Sequence, residues 1–284
     1  MSMKVDIKKN ILTYLPWALL AILYAPVFRQ LYFSRWKLID YTHAYFILPV
    51  ALALAWRKRM ALAAAYHGVK GEAGRTGLIW LILGILLFIF SWRNDYLMLL
   101  TLSFIVAAAG ITRYLYGKAV VRALRFPFLY LLLMVPPPLG ILDAITLPMR
   151  YMTSVAVEAT LRSFFLPITR SGLLLYAGGS EIYMGQPCSG FRSLIAMVSL
   201  GTVYAYLSHV DFKKKIILVI SIVPLALFCN FLRVSAMCTA TYYFGSKIGE
   251  TIHDIGGYVV FGLLLLGMLG VEKALERKKV NADE

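Results

Sequence analysis

The chain has 284 residues, 60% of them hydrophobic and 15% charged, with a mean hydropathy of +0.74. A soluble domain averages roughly 45–50% apolar residues, so these figures exclude an ordinary soluble enzyme and point to an integral membrane protein. The net charge of +15 would suggest nucleic acid in a soluble protein, but the lysines and arginines stand at the ends of apolar runs, where membrane topology explains them and no nucleic-acid partner is expected.

Lys4, Lys8 and Lys9 precede a first apolar span at 11–28, which reads as a retained anchor. A loop with Arg29, Arg35, Lys37 and Asp40 leads through Tyr41-Thr42-His43 into a second span at 43–56, ended by Arg57-Lys58-Arg59. A polar connection reaches a third span at 77–91, and Ser91 to Asp95 turns the chain into a fourth that ends near Thr112. Arg113, Lys118, Arg122 and Arg125 read as a basic loop; a fifth stretch, 126–135, stops at Pro136-Pro137-Pro138.

In 139–166, Asp143, Thr146, Arg150, Thr153, Ser154, Glu158 and Arg162 fall at three- and four-residue steps, a polar stripe on an apolar helix kinked at Pro148. Such a helix lies at the membrane interface or turns its stripe towards a protein cavity. Ser171 to Met184 reads as a β-hairpin turning at Gly178-Gly179. Spans six, seven and eight follow at 190–208, 216–237 and 254–271, and the tail is basic again. The expected fold is an all-α polytopic membrane protein. It has about eight transmembrane helices, an amphipathic helix and a small extracytoplasmic β-hairpin, in one domain over 1–284.

Lysine and arginine fix an orientation. With the N-terminus inside, inside segments hold nineteen of the 29 and outside segments eight, with Arg192 and Arg233 within spans. That asymmetry favours both termini in the cytoplasm. Counting 139–166 as a further crossing would put Lys213 to Lys215 outside, against the same rule.

This orientation gathers chemistry at one depth. Cys188 opens span six at its outer end. Arg233 lies about 17 residues into span seven, roughly 25 Å up at 1.5 Å per residue, with Asn230 one turn below. His253 opens span eight, and His43 opens span two at the same level. Arg192, four residues after Cys188, is expected on the same helix face, one turn on. A thiol at a helix N-terminus near cations has a lowered pKa. His253 could activate it and protonate a leaving amine, and Arg233 could stabilise an oxyanion. Gly256 and Gly257 would allow close backbone approach. The implied reaction class is acyl transfer through a thioester. Each residue also has a plainer role: packing for a buried thiol, snorkelling for an arginine near a span end, or a Cys188–Cys238 disulfide. The three cysteines, Cys188, Cys229 and Cys238, lack CxxC or His-rich spacing, so no metal and no cofactor is expected.

Cys188-Ser189-Gly190-Phe191-Arg192-Ser193, Asn230-Phe231-Leu232-Arg233 and His253-Asp254-Ile255-Gly256-Gly257 resemble, in order, the nucleophile, arginine and histidine motifs of the exosortase/archaeosortase family of membrane transpeptidases. Pro136 to Gly140, the hairpin and Asp40 to His43 also have counterparts there, so the resemblance spans most of the chain. It implies that Cys188 is the nucleophile, His253 the general acid/base and Arg233 the transition-state stabiliser, with Arg192, Asn230, His43 and Gly257 as possible support. It further implies substrates anchored in the bilayer, each ending in a short motif, a transmembrane helix and a basic tail. Cleavage at the outer face of the inner membrane would be followed by transfer to an acceptor, often beside exopolysaccharide systems. Two other classes fit the residues: a non-catalytic component of polysaccharide export, with Arg150, Glu158 and Arg192 lining a path, and a membrane acyltransferase acting on lipid or sugar.

Overall fold

Long apolar runs satisfy their backbone only as helices where no water is available, and helices dominate the computed structural model. It describes residues 2–36, 43–67, 74–208 and 211–280. Asp40, Tyr41 and Thr42 of the second-span motif lie outside the described residues. The chain divides into two units, Met1–Pro138 and Leu139–Glu284.

The first unit holds α1 (Ser2–Leu31), a π-helical turn (Tyr32–Trp36), α2 (Ala44–Arg57), α3 (Arg59–His67), α4 (Arg75–Arg93), α5 (Leu97–Ala123), α6 (Arg125–Tyr130) and a 3-10 turn (Leu131–Met134). Basic residues end the apolar runs here without ending the helices, since lysine and arginine are good helix formers. Thus α3 follows α2 after the single residue Lys58, where a sharp end was expected, and Lys58 Nζ donates to the Ala123 carbonyl at 2.8 Å. The expected basic loop after Thr112 is helical to Ala123, broken only at Gly117 (φ 85°). α4 and α5 pack as a tight hairpin. A Cβ on Gly84 would stand 2.8 Å from the Ala107 backbone, and one on Gly110 2.5 Å from that of Leu81. Only small residues permit that approach. Tyr24 of α1 shares a buried 2.7 Å hydrogen bond with Ser103 of α5. An apolar cavity of about 410 Å³ opens among α1, α2, α3, α5 and α6, lined by Trp17, Leu48, Phe104, Val120 and Leu131 among others.

The second unit runs α7 (Leu139–Ser163), β1 (Thr169–Ser171), β2 (Leu174–Ala177), β3 (Ser180–Tyr183), a 3-10 turn (Gln186–Ser189), α8 (Phe191–Leu207), α9 (Phe212–Phe244) and α10 (Ser246–Val280). α7 continues through Pro148. The middle of its polar stripe faces inward, with Thr146, Arg150, Thr153 and Ser154 buried, while Asp143 and Arg162 at its ends are exposed, as are Ile145, Leu147, Tyr151 and Met152. The expected hairpin is present as β2 and β3, pairing Leu174 with Tyr183 and Ala177 with Ser180 around Gly178-Gly179. β1 adds a third antiparallel strand, pairing Thr169 with Tyr176, which a three-residue segment with no apolar alternation did not announce. Leu175, Ile168 and Met184 are wholly buried, each contributing about 1.5–3 kcal/mol. They pack with Val157 and Leu161 of α7 and Val234, Met237 and Cys238 of α9, and Cys188 lies in this core. A second core joins α8, α9 and α10 through Met197, Leu218, Ile222 and Leu264.

Among the described residues four helices are long and apolar enough to cross a membrane: Arg75–Arg93, Leu97–Ala123, Phe212–Phe244 and Ser246–Leu275. Three shorter apolar helices, Ala44–Arg57, Arg125–Met134 and Phe191–Leu207, coincide with expected spans two, five and six. The structure is therefore a helical membrane protein with a small sheet, and among the described residues four of the eight expected passes, the third, fourth, seventh and eighth, are helices of full span length.

Candidate active site

Gln186–Ser189 forms one 3-10 turn, and Cys188 N donates to the Gly185 carbonyl at 3.0 Å. The turn stops at Gly190, whose φ of 71° is left-handed, and α8 begins only at Phe191. Cys188 and Arg192 therefore do not share a helix face as the spacing suggested, because the left-handed residue reorients the chain between them. Gly190 is needed twice over. Its φ disfavours any side chain, and a Cβ would come within 2.7 Å of Asn230 Cβ and Cγ.

Asn230 uses that proximity. It is 1% exposed, and its Nδ2 donates to the Cys188 carbonyl at 2.8 Å, latching the thiol-bearing turn to α9. One turn on, Arg233 Nε donates to the His253 carbonyl at 2.9 Å, and its Nη2 lies 3.3 Å from His253 Nδ1. An arginine within a span costs about 2.5–3.5 kcal/mol on insertion scales, so these two contacts repay a placement that lipid would penalise. The other ring nitrogen, Nε2, stands 3.4 Å from Cys188 Sγ. Cysteine, histidine and arginine thus form a chain of contacts from the 3-10 turn through α10 to α9.

Two partners compete for Nδ1. Arginine only donates, so the Arg233 contact requires the ring proton on Nε2, pointing at sulfur. A proton on Nδ1 would instead face Asp254 Oδ1, 3.7 Å away on a side chain 86% exposed. Asp254 was quoted in the sequence motif without a role; adjacency to the histidine was its only signal.

The sulfur is 7% exposed as a residue and sits in an apolar core. Burial pushes the Cys188 thiol above its ordinary range; the Arg233 charge, a backbone hydrogen bond at Gly185 and the Arg150 charge pull it back. This corrects the expected lowering by a helix N-terminus: α8 starts three residues later, at Phe191, and burial outweighs the nearby cations. All three cysteines are free, so Cys188 and Cys238, although in one core, are not bridged.

The supporting residues separate. Arg192 is exposed, and its charge acts on Asp254 and Tyr258. Gly256 rather than Gly257 makes the close approach: its Cβ would lie 3.0 Å from Arg233 Cγ, against an ordinary 3.8 Å from Nη2 for Gly257. His43 belongs to the first unit, where its ring meets the Leu133 backbone; the cluster described here is built within the second. The residue that sequence reasoning left in the α7 stripe without a catalytic part is Arg150, 7% exposed and with its charge acting on Cys188. Among the described residues no group of three His, Cys, Asp or Glu side chains is arranged to hold a metal ion.

Comparison with known proteins adds one finding. A family model described as transmembrane exosortase (Exosortase_EpsH) matches residues 36–270. No curated protein and no solved structure matches the chain.

Proposed function

The chain belongs to the transmembrane exosortase family, and from that premise we propose that it is a cysteine transpeptidase acting on proteins held in the same membrane. Its substrates would end in a short recognition motif, a transmembrane helix and a basic tail. Cleavage would occur at the extracytoplasmic face, with both termini of the enzyme in the cytoplasm, and the protein would pass to an acceptor in the envelope. The observation that carries this reading is the contact chain itself: Cys188 Sγ 3.4 Å from His253 Nε2, and Arg233 on both the carbonyl and the ring of that histidine.

The steps follow from that arrangement. When the ring proton moves to Nδ1, towards Asp254 Oδ1 and releasing Arg233 Nη2, Nε2 takes the proton of the Cys188 thiol, giving a thiolate–imidazolium pair. The sulfur attacks the scissile carbonyl carbon, the C–S bond forms, and the C=O π pair moves onto oxygen. Arg233, held by its Nε, has guanidinium N–H groups to direct at that oxyanion. Collapse breaks the C–N bond, and His253 Nε2 returns its proton to the departing amine. The thioester remaining on Cys188 is resolved by the acceptor nucleophile, which loses its proton to His253 as the C–S bond breaks. A substrate with its own membrane anchor presents its scissile bond at a defined depth, which supplies positioning that a buried thiol needs.

Co-expression with a candidate substrate tests the reading. Cys188→Ser should leave enzyme levels intact and abolish processing. Normal processing of every candidate by that variant would overturn it.

A further inference from the structure

We propose that Arg150 is a second cation of the reaction centre, placed on α7 to hold the negative charge that develops on the Cys188 sulfur and on the scissile carbonyl oxygen. The proposal rests on Cys188 being the nucleophile.

α7 turns Thr146, Arg150, Thr153, Ser154, Val157 and Leu161 inward, the spacing of one helix face. The end of that face is anchored beside the thiol: Val157 and Leu161 share the apolar core with Cys188, and α7 packs on the 3-10 turn that carries it. A guanidinium stays charged under any such condition, so burying one demands compensation. The other arginines around α7 have it. Arg170 Nε lies 3.2 Å from Glu158 Oε2, and Arg162 lies 3.9 Å from Glu158 Oε1. Arg150 is more deeply buried than either. Among the described residues its one hydrogen bond is a long one, Nε to the Thr146 carbonyl at 3.4 Å, and its charge acts on Cys188 in the same sense as that of Arg233.

The charge pattern explains why a second cation is needed. Arg233 already commits Nε to the His253 carbonyl. His253 of α10 touches Cys188 and Cys238 of α9 shares its core, the charges of Arg233 of α9 and Arg150 of α7 act on it, and those of Arg192 and Asp254 act on His253. Among the described residues the terminal nitrogens of Arg150 have no protein acceptor. Among the described residues two further buried atoms, Thr146 Oγ1 one turn from Arg150 and Asn230 Oδ1 beside the thiol turn, have no hydrogen-bond partner. Buried polar atoms left so are rare and call for a ligand. A cation for carbonyl oxygens with acceptors for N–H groups complements an extended peptide, the substrate class of the proposed reaction.

The test is the pH dependence of Cys188 alkylation by iodoacetamide in the full-length protein in lipid nanodiscs, read on the Cys188 peptide by mass spectrometry. Arg150→Met should move the half-maximal rate up by about one pH unit, a roughly tenfold loss of reactivity below the midpoint, and lower kcat for substrate more than it raises KM. Arg150→Lys should restore most of the titration, and Arg162→Gln should leave it unchanged. An Arg150→Met protein with a normal melting temperature, an unmoved titration and an unmoved kcat would overturn the proposal. Should that variant not accumulate, Arg150→Gln carries the same expectation and the same overturning result. The titration needs no substrate, so the two readings fail separately. If Cys188→Ser still processes substrate, the functional reading falls; if processing needs Cys188 but neither quantity responds to Arg150, only the present proposal does.

Discussion

Two helical hairpins of similar build carry opposite contents. α4 and α5 meet along glycines and alanines, with Gly84 and Gly110 letting the backbones touch, and the cavity beside α5 is almost wholly apolar. α9 and α10 also pack along their length, yet Arg233 of α9 meets the carbonyl and ring of His253 between them, and Asn230 of α9 donates to the Cys188 carbonyl. The first hairpin is held by close backbone approach, with one side-chain hydrogen bond, Arg113 Nε to Thr76 Oγ1 at 2.8 Å, near its end. In the second, closeness serves to hold ionisable groups where lipid would reject them, which is the physical mark of a functional site in a membrane.

Substitutions should therefore divide by hairpin. His253→Ala, in the second, is expected to lower processing by at least about 10³-fold, since it removes the acid/base, while the amount of folded protein stays near wild type. Gly84→Leu, in the first, should do the reverse. A side chain forced against the Ala107 backbone costs at least about 1–3 kcal/mol, and folded yield should fall while activity per folded molecule persists. Size-exclusion profiles paired with specific activity separate the two outcomes.

Arg233→Gln sharpens the contrast. Processing should fall about 10²–10³-fold, the loss associated with one oxyanion donor. Burial already raises the Cys188 thiol and the Arg233 charge opposes that rise, so the variant should alkylate with a midpoint displaced further to high pH. A midpoint moved to lower pH would contradict the assigned role. Asn230→Ala should cost about 1–3 kcal/mol of stability by orphaning a buried carbonyl and about tenfold in activity by loosening the Cys188 turn, both measurable by thermal unfolding and initial rates. Asp254→Asn should change activity least, within about threefold, since its carboxylate is largely in solvent.

Much of this was legible before any coordinates. Apolar runs marked the helices, and the expectation that Cys188, Arg233 and His253 lie together agrees with their contacts in the structure. What the sequence hid was local. Basic residues close an apolar run without closing the helix, so α5 runs eleven residues past Thr112. The left-handed Gly190 could not be told from an ordinary helix-start glycine, and so Arg192 was set on the wrong face. The stripe on α7 was visible, but its periodicity fits an interface and a cavity equally. Only packing against the sheet and α9 turned Arg150 inward. Asn230 was flagged by family motif; its latch on the Cys188 carbonyl is a hydrogen bond between residues 42 apart in sequence, beyond any local pattern.

The central claim is that Cys188 forms a covalent acyl intermediate. Rapid acid quench during turnover of a tagged, membrane-anchored substrate, followed by mass spectrometry of the Cys188 peptide, tests it directly. The account predicts a hydroxylamine-sensitive thioester on Cys188 bearing the new C-terminal residue of the cleaved substrate, and none in His253→Ala. Product accumulating while Cys188 stays unmodified, or is held in a disulfide with Cys238, would contradict it.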